Sequence, residues 1–135
     1  MHLQPQKLDY HDVRSGDARV SAEALTLDTL RAARNLELQR PQLEALLGAD
    51  PDEVDRLLDN RQTLSPRSEQ GMRALLLVRL NRALGDVFGS LHRAREWLDT
   101  LDPALGGRPG DLLRTREGLE RVLGHMELSS KDFAW

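Results

Sequence analysis

Apolar residues recur at helical spacing in six stretches of the chain, and a capping residue type stands before most of them. Ser21 precedes the first, which carries Leu25, Leu30, Ala33 and Leu36. A second helix is predicted over 41–47, with Leu43, Leu46 and Leu47 inward and Gly48 just past its end, where a left-handed residue commonly stops a helix. Asp50-Pro51-Asp52-Glu53 then offers an N-cap, a proline at the first helical position and a reciprocal acceptor at the third. It predicts a third helix running to about residue 59 that buries Val54, Leu57 and Leu58. Ser65-Pro66 repeats that start signal and opens the longest stripe, from Met72, Leu75, Leu76 and Leu80 through Ala83, Leu84, Val87 and Phe88, with Gly89 as its stop. Ser90 caps a fifth helix bearing Leu91, Ala94, Trp97 and Leu98, which ends before Asp102-Pro103 because a residue preceding proline avoids helical torsions. Residues 102–110 hold two prolines and three glycines and are expected to form a shaped loop. After a short turn over 111–113, Thr115 opens a last helix carrying Leu119, Val122, Leu123 and Met126, expected to end near Leu128. Residues 1–20 show no such period and read as a loosely docked leader.

Composition supports a helical fold. Among 135 residues there are 27 Leu and 17 Arg but no Ile, 6 Val and 5 Thr, so β-branched residues are scarce and helix formers plentiful. The class is therefore all-α, and a chain this long buries enough surface to fold as one small soluble unit. The lack of cysteine excludes thiol chemistry, disulfides and Cys-ligated metals. The longest aliphatic run, residues 74–78, is far too short to span a bilayer, and the acidic start is wrong for a secretory signal, so a cytoplasmic location with no membrane contact is expected. Up to Gln70 the chain carries 9 basic and 13 acidic residues, and after it 10 basic and 9 acidic. Neither part has the basic excess that phosphate neutralisation demands of a non-specific nucleic-acid binder.

No catalytic constellation emerges. His2, His11, His92 and His125 are scattered without metal-ligand spacing, and no nucleophile elbow, phosphate loop or dinucleotide fingerprint is present. Asp99 and Asp102 flank a helix end and read as solvated or as caps of backbone N–H groups rather than as an acid/base pair. The cluster Asp50, Asp52, Glu53 and Asp55 complements a helix N-terminus. The chain reads as a binding protein, not an enzyme, with no cofactor and no metal.

Residues 43–57 have the rhythm of a helix-turn-helix: a short helix ending Leu46-Leu47-Gly48, a tight turn, and a next helix with Val54 and Leu57 at core offsets. The unit resembles the phage-repressor (Xre/Cro) type, with two departures. Glu44 stands where that pattern takes a small residue for close helix approach, and the first turn of the recognition helix is acidic, which neighbouring phosphates would repel. Arg56, Arg61 and Arg67 are the cations nearby that could meet a DNA backbone. Specific DNA binding and a purely structural or dimerising module both remain open for this unit.

A second, more specific pattern lies downstream: Leu84-Gly85-Asp86-Val87-Phe88-Gly89, then Ala94-x-x-Trp97-Leu98, Pro103-Ala104-Leu105-Gly106-Gly107-Arg108-Pro109, Leu112-Leu113 and Thr115-x-Glu117-Gly118. Its order and spacing are similar to the toxin-binding domain of the Xre/MbcA/ParS antitoxins, with one departure: Pro109 follows Arg108 directly where the family often places Thr between them. The resemblance implies an antitoxin of a type II toxin–antitoxin system. Its implied partner is a RES-domain toxin of ADP-ribosyltransferase-like fold, silenced by covering its NAD site. A homodimer within a larger complex, and repression of its own operon through operator DNA, are implied with it. The organisation expected is a leader (1–20), an Xre-like helix-turn-helix module (21–64), a small helical toxin-binding and dimerisation domain (65–128) and a tail (129–135).

From the residues themselves, Gly106 and Gly107 open backbone torsions closed to other residues while Pro103 and Pro109 stiffen the flanks, predicting a rigid loop with Arg108 at its crest. A rigid exposed loop loses little ordering entropy on binding, and an arginine there can grip a partner carboxylate with two hydrogen bonds. The candidate toxin-binding residues are Trp97, Pro103, Leu105, Gly106, Gly107, Arg108 and Pro109, joined by Phe133 and Trp135, aromatics that follow a polar spacer in the tail. Trp97 at helical spacing also suits the core, Arg108 also suits solvent, and the tail rings also suit their own domain. The alternative to the antitoxin is a DNA-binding regulator of the Xre/Cro type with no toxin partner.

Overall fold

A computed structural model describes residues 20–133, with side chains described through Ser129. Among the described residues the regular elements are seven helices: α1 (Ala22–Asn35), α2 (Arg40–Leu47), α3 (Pro51–Leu58), α4 (Glu69–Phe88), α5 (Leu91–Leu98), α6 (Pro109–Leu112) and α7 (Arg116–Phe133). An isolated antiparallel bridge between Asp102 and Gly107 is the sole β-type pairing among those residues. Of the leader, Val20 is buried in the core, and residues 1–19 lie outside the described residues, as do the tail's Ala134 and Trp135.

Helix boundaries follow local chemistry. Ser21 Oγ accepts from the Ala24 N–H, and Asp50 and Glu53 make a reciprocal capping box around the start of α3, at 2.9 and 3.0 Å. Gln39 and Gln42 form another at α2, which the sequence did not advertise because glutamine seldom caps. Gly48 and Gly89, both at positive φ, close α2 and α4.

Four expectations are corrected. α4 starts at Glu69, not at Ser65-Pro66. Ser68 is its cap, and the Ser65-Pro66 segment lies under Gly71, where an added Cβ would sit 1.7 Å from the Ser65 carbonyl oxygen. Leu58, expected to be buried, is 48% exposed, and Leu91, which α5 carries as expected, is 40% exposed. α3 is only two turns long, so once Leu57 faces inward its sequence neighbour is rotated by about 100° away from the core, and Leu91 occupies the first position of α5. Pro109 begins α6, so the loop ends at Arg108 and not at Gly110. α7 passes through the expected polar spacer to Phe133, because residues 129–132 hold no proline or glycine to stop it, and Ser129 Oγ turns back to donate to the His125 carbonyl within the helix.

The buried side chains form one contiguous cluster running from Val20 to Met126. α4 is its axis: α7 packs along it most extensively, with α1 on it as well and α2 and α5 near its two ends. Arg79 of α4 is buried among these leucines and donates to both carboxylate oxygens of Glu127 on α7, at 2.7 and 2.8 Å. At the other end Gln70 donates to the Gly48 carbonyl and to Glu53, and Arg73 donates to the Ala45 and Leu46 carbonyls, tying the α2–α3 turn to α4. No helix of the described residues is long and apolar enough to cross a membrane.

Candidate functional site

The loop between α5 and α6 is built around Asp102. Its backbone N–H donates to the Gly107 carbonyl at 3.0 Å, and its own carbonyl accepts from Leu105 and Gly106 N–H, each at 3.0 Å. Its carboxylate accepts from the Ala104 N–H through Oδ1 at 2.9 Å, an Asx-type turn, and from the Trp97 indole N–H through Oδ2 at 3.0 Å. Gly106 closes the turn at φ +72°, a torsion that disfavours any side chain. From α7, Arg121 donates to the Leu105 carbonyl at 3.0 Å, and His125 places Nε2 3.7 Å from Asp102 Oδ2. The His125 ring lies parallel to Trp97, centroids 6.1 Å apart at 4°, and Phe88 tilts against the indole at 5.9 Å. A row of three rings from α4, α5 and α7 thus backs the loop.

The joint that follows is tight. A Cβ on Gly110 would stand 3.0 Å from the Leu98 carbonyl oxygen, and one on Gly118 only 1.9 Å from that of Leu112. Thr115 Oγ1 accepts from the Gly118 N–H at 3.1 Å, so α6 and α7 meet with almost no separation.

The expected contact residues separate into two groups. Pro103, Gly106 and Arg108 are exposed, whereas Leu105 and Pro109 are buried and Trp97 and Gly107 lie between these extremes. Leu105 and Pro109 anchor the loop from beneath. Arg108 is the N-cap residue of α6, its carbonyl accepting from the Asp111 N–H at 3.0 Å, while its side chain makes no hydrogen bond or ion pair with any described residue, in contrast to that of Arg95, which is held by the Asn35 carbonyl and Glu37. Beside Trp97, Glu96, Asp99 and Thr100 line a shallow open depression, and Leu101 next to it is 65% exposed. The Phe133 side chain and the whole of Trp135 lie outside the described residues.

Arg56, Arg61 and Arg67 belong to another part of the molecule, at and beyond the end of α3. Arg56 Nε donates to Gln62 at 2.7 Å and Arg61 pairs with Asp59 at 3.2 Å, while Arg67 is exposed in the turn before α4. The carboxylates of α3 are turned to internal duties: Asp50 and Glu53 to the cap, Glu53 also to Gln70, and Asp55 to Arg40 at 2.6 Å. No group of three His, Asp or Glu residues among the described residues is arranged to hold a metal ion.

Residues 83–124 match the family model of the antitoxin Xre/MbcA/ParS C-terminal toxin-binding domain. The match runs from the last turns of α4 through the ring row, the loop and α6 into α7, and leaves out α1 to α3. This segment, under a third of the chain, is therefore similar to a domain whose partner is a toxin protein. The chain matches no curated protein.

Three residues central to this geometry escaped the sequence reading: Asp102 as a hub, Arg121 and His125. Asp102-Pro103 did carry a turn signal, since Asp before Pro initiates turns. Arg121 and His125 carried none, because their contacts reach back across the α6 joint.

Proposed function

We propose that the chain is the antitoxin of a type II toxin–antitoxin pair. It binds a RES-domain toxin and silences it by covering the NAD site, without chemistry of its own. The observation that carries this reading is the exposed Arg108 on a loop already pinned by Asp102, Trp97 and Arg121, all within the segment that matches the toxin-binding domain. A loop held in this way loses little entropy on docking, and an unpaired guanidinium loses no internal ion pair when it meets a partner carboxylate. Trp97, Pro103, Gly106 and Gly107 join it as contact residues, with Leu105 and Pro109 as anchors, and Phe133 and Trp135 complete the contact set.

The same reading places the protein in the cytoplasm as a homodimer within a larger complex, with residues 21–64 as an Xre-like module and 65–128 as the toxin-binding and dimerisation domain. Autorepression of the operon would fall to Arg56, Arg61 and Arg67 around the acidic α3.

The test is to purify the tagged full chain from its native cells at low salt, identify what elutes with it, and assay the recovered protein for NAD consumption with and without the chain. Stoichiometric recovery of a RES-domain protein whose NAD turnover stops when the chain is added, and resumes with Arg108→Ala at equal concentration, is expected. Recovery of the chain with operator DNA and no toxin would replace this reading with that of an Xre/Cro-type regulator.

A further inference from the structure

We propose that Asp102 is a positioning residue that pre-forms the recognition loop without its side chain contacting the partner, with Arg121 as a second latch. The Asp102 backbone and side chain together take part in five hydrogen bonds: to the Gly107 carbonyl, and from Leu105, Gly106, Ala104 and Trp97. Its side chain is only 18% exposed, so little of the carboxylate is available to another protein. One oxygen holds the loop to itself through Ala104, and the other holds the loop to α5 through the indole of Trp97 and faces His125 of α7. A single carboxylate thus ties the loop to itself and to the end of α5, and faces α7. Arg121 adds a bond from α7 to the Leu105 carbonyl, on the opposite arm of the same turn.

The physical consequence is a division of labour between kinetics and contact. A residue that only keeps the loop in its binding shape sets the fraction of molecules competent to bind, and the apparent dissociation constant rises as that fraction falls. Its loss slows association and leaves dissociation alone, whereas loss of a contact such as Arg108 appears mainly in the dissociation rate. This consequence rests on the antitoxin reading, but the pre-forming of the loop does not.

The experiment has two arms, both with the full chain. In the first, amide hydrogen exchange of the free protein is compared for the wild type, Asp102→Ala, Asp102→Asn and Arg121→Ala. Asp102→Ala is expected to accelerate exchange at Ala104, Leu105 and Gly106 by about tenfold or more while the α4 amides of Leu77 and Leu80 stay protected, because a local opening leaves global stability untouched. Asp102→Asn offers one acceptor oxygen to two donors and should fall between wild type and alanine. Arg121→Ala should act on Leu105 and its neighbours alone. Unchanged loop protection in Asp102→Ala overturns the proposal.

The second arm measures association and dissociation rates with the purified RES-domain toxin recovered with the wild-type chain. Asp102→Ala should slow association about tenfold, with dissociation within about twofold of wild type, as for a loop competent about one-tenth of the time. A faster dissociation with unchanged association would make Asp102 a contact residue and overturn the proposal. If the wild-type chain binds no such toxin, the antitoxin reading fails, and the exchange arm alone decides whether Asp102 pre-forms the loop. Loss of α4 protection in Asp102→Ala would make that variant globally unfolded, and the milder Asn and Arg121 variants then decide the outcome by the same criterion.

Discussion

Two regions of the molecule that carry arginines proposed for recognition, the α2–α3 unit and the loop after α5, use their acidic residues in opposite ways. In the α2–α3 unit, Asp50, Glu53 and Asp55 are taken up by a capping box, by Gln70 and by Arg40, and two of the three arginines at and beyond the end of α3 are likewise tied, to Gln62 and Asp59. In the loop after α5, a single carboxylate, Asp102, satisfies the backbone and the indole, and the Arg108 side chain stays exposed with no partner among the described residues. Charge in the first region stabilises helices and joins them. Charge in the second fixes the frame on which one cation stands exposed. A solvent-facing charge matters for recognition when its surroundings are ordered by something else, because binding then has neither an ion pair to break nor a loop to order.

The largest way to break that comparison is at the backbone joints. Gly118→Ala places a Cβ 1.9 Å from the Leu112 carbonyl oxygen, against a backbone that cannot rotate away. We expect a loss of about 3 kcal/mol, at the upper end of overpacking costs, read by urea unfolding. Gly71→Ala, with its Cβ 1.7 Å from the Ser65 oxygen, should cost a similar amount at the other end of the molecule. If either variant unfolds at wild-type urea concentrations, the close approach it rests on is wrong.

Arg108→Ala comes next and sharpens the comparison directly. Thermal unfolding should be unchanged, while toxin dissociation accelerates by about thirtyfold, the equivalent of about 2 kcal/mol for an arginine central to an interface. An equal loss from Arg61→Ala would show that exposure alone, not a pre-formed frame, governs recognition.

Glu127→Gln, paired with Arg79, probes the axis that carries both regions. Removing the charge while keeping a hydrogen-bond acceptor leaves the buried guanidinium poorly compensated. About 2 kcal/mol of stability should be lost, discounted from the values for fully buried pairs because Glu127 is one-third exposed. Replacing both partners by Met and Leu should recover most of it, and a double-mutant cycle by thermal unfolding checks this.

The smallest effect is at the cap. Asp50→Ala should cost about 1 kcal/mol of stability and leave toxin affinity as it was. A large change in affinity would place α3 in the toxin interface.

Much of the fold was readable because its signals are local. The caps at Ser21, Asp50 and Ser90, the stops at Gly48 and Gly89, and the inward stripes of α1, α4 and α7 each depend on residues within a turn or two of one another. The pattern from Leu84 to Met126 was also legible, and the segment that matches the toxin-binding family, 83–124, lies almost on top of it. The misjudged places were those where local signals competed. Ser65 and Ser68 both precede a helical stripe, and only the approach of Gly71 to the Ser65 carbonyl favours the second. Leu57 and Leu58 are equally apolar, and a two-turn helix can bury only one of them.

What the sequence by itself determined is the helical class, the number and rough extent of the long helices, and the presence of a glycine- and proline-rich loop carrying an arginine. These follow from propensity, periodicity and torsional limits that act along the chain. What only the tertiary structure decided is which residues make that loop a surface. Asp102 meets Trp97 because α5 turns back at residue 99, and Arg121 and His125 meet the loop because the glycine joint at 118 lays α7 beside it. Such contacts depend on where helices pack, and no local spacing encodes them.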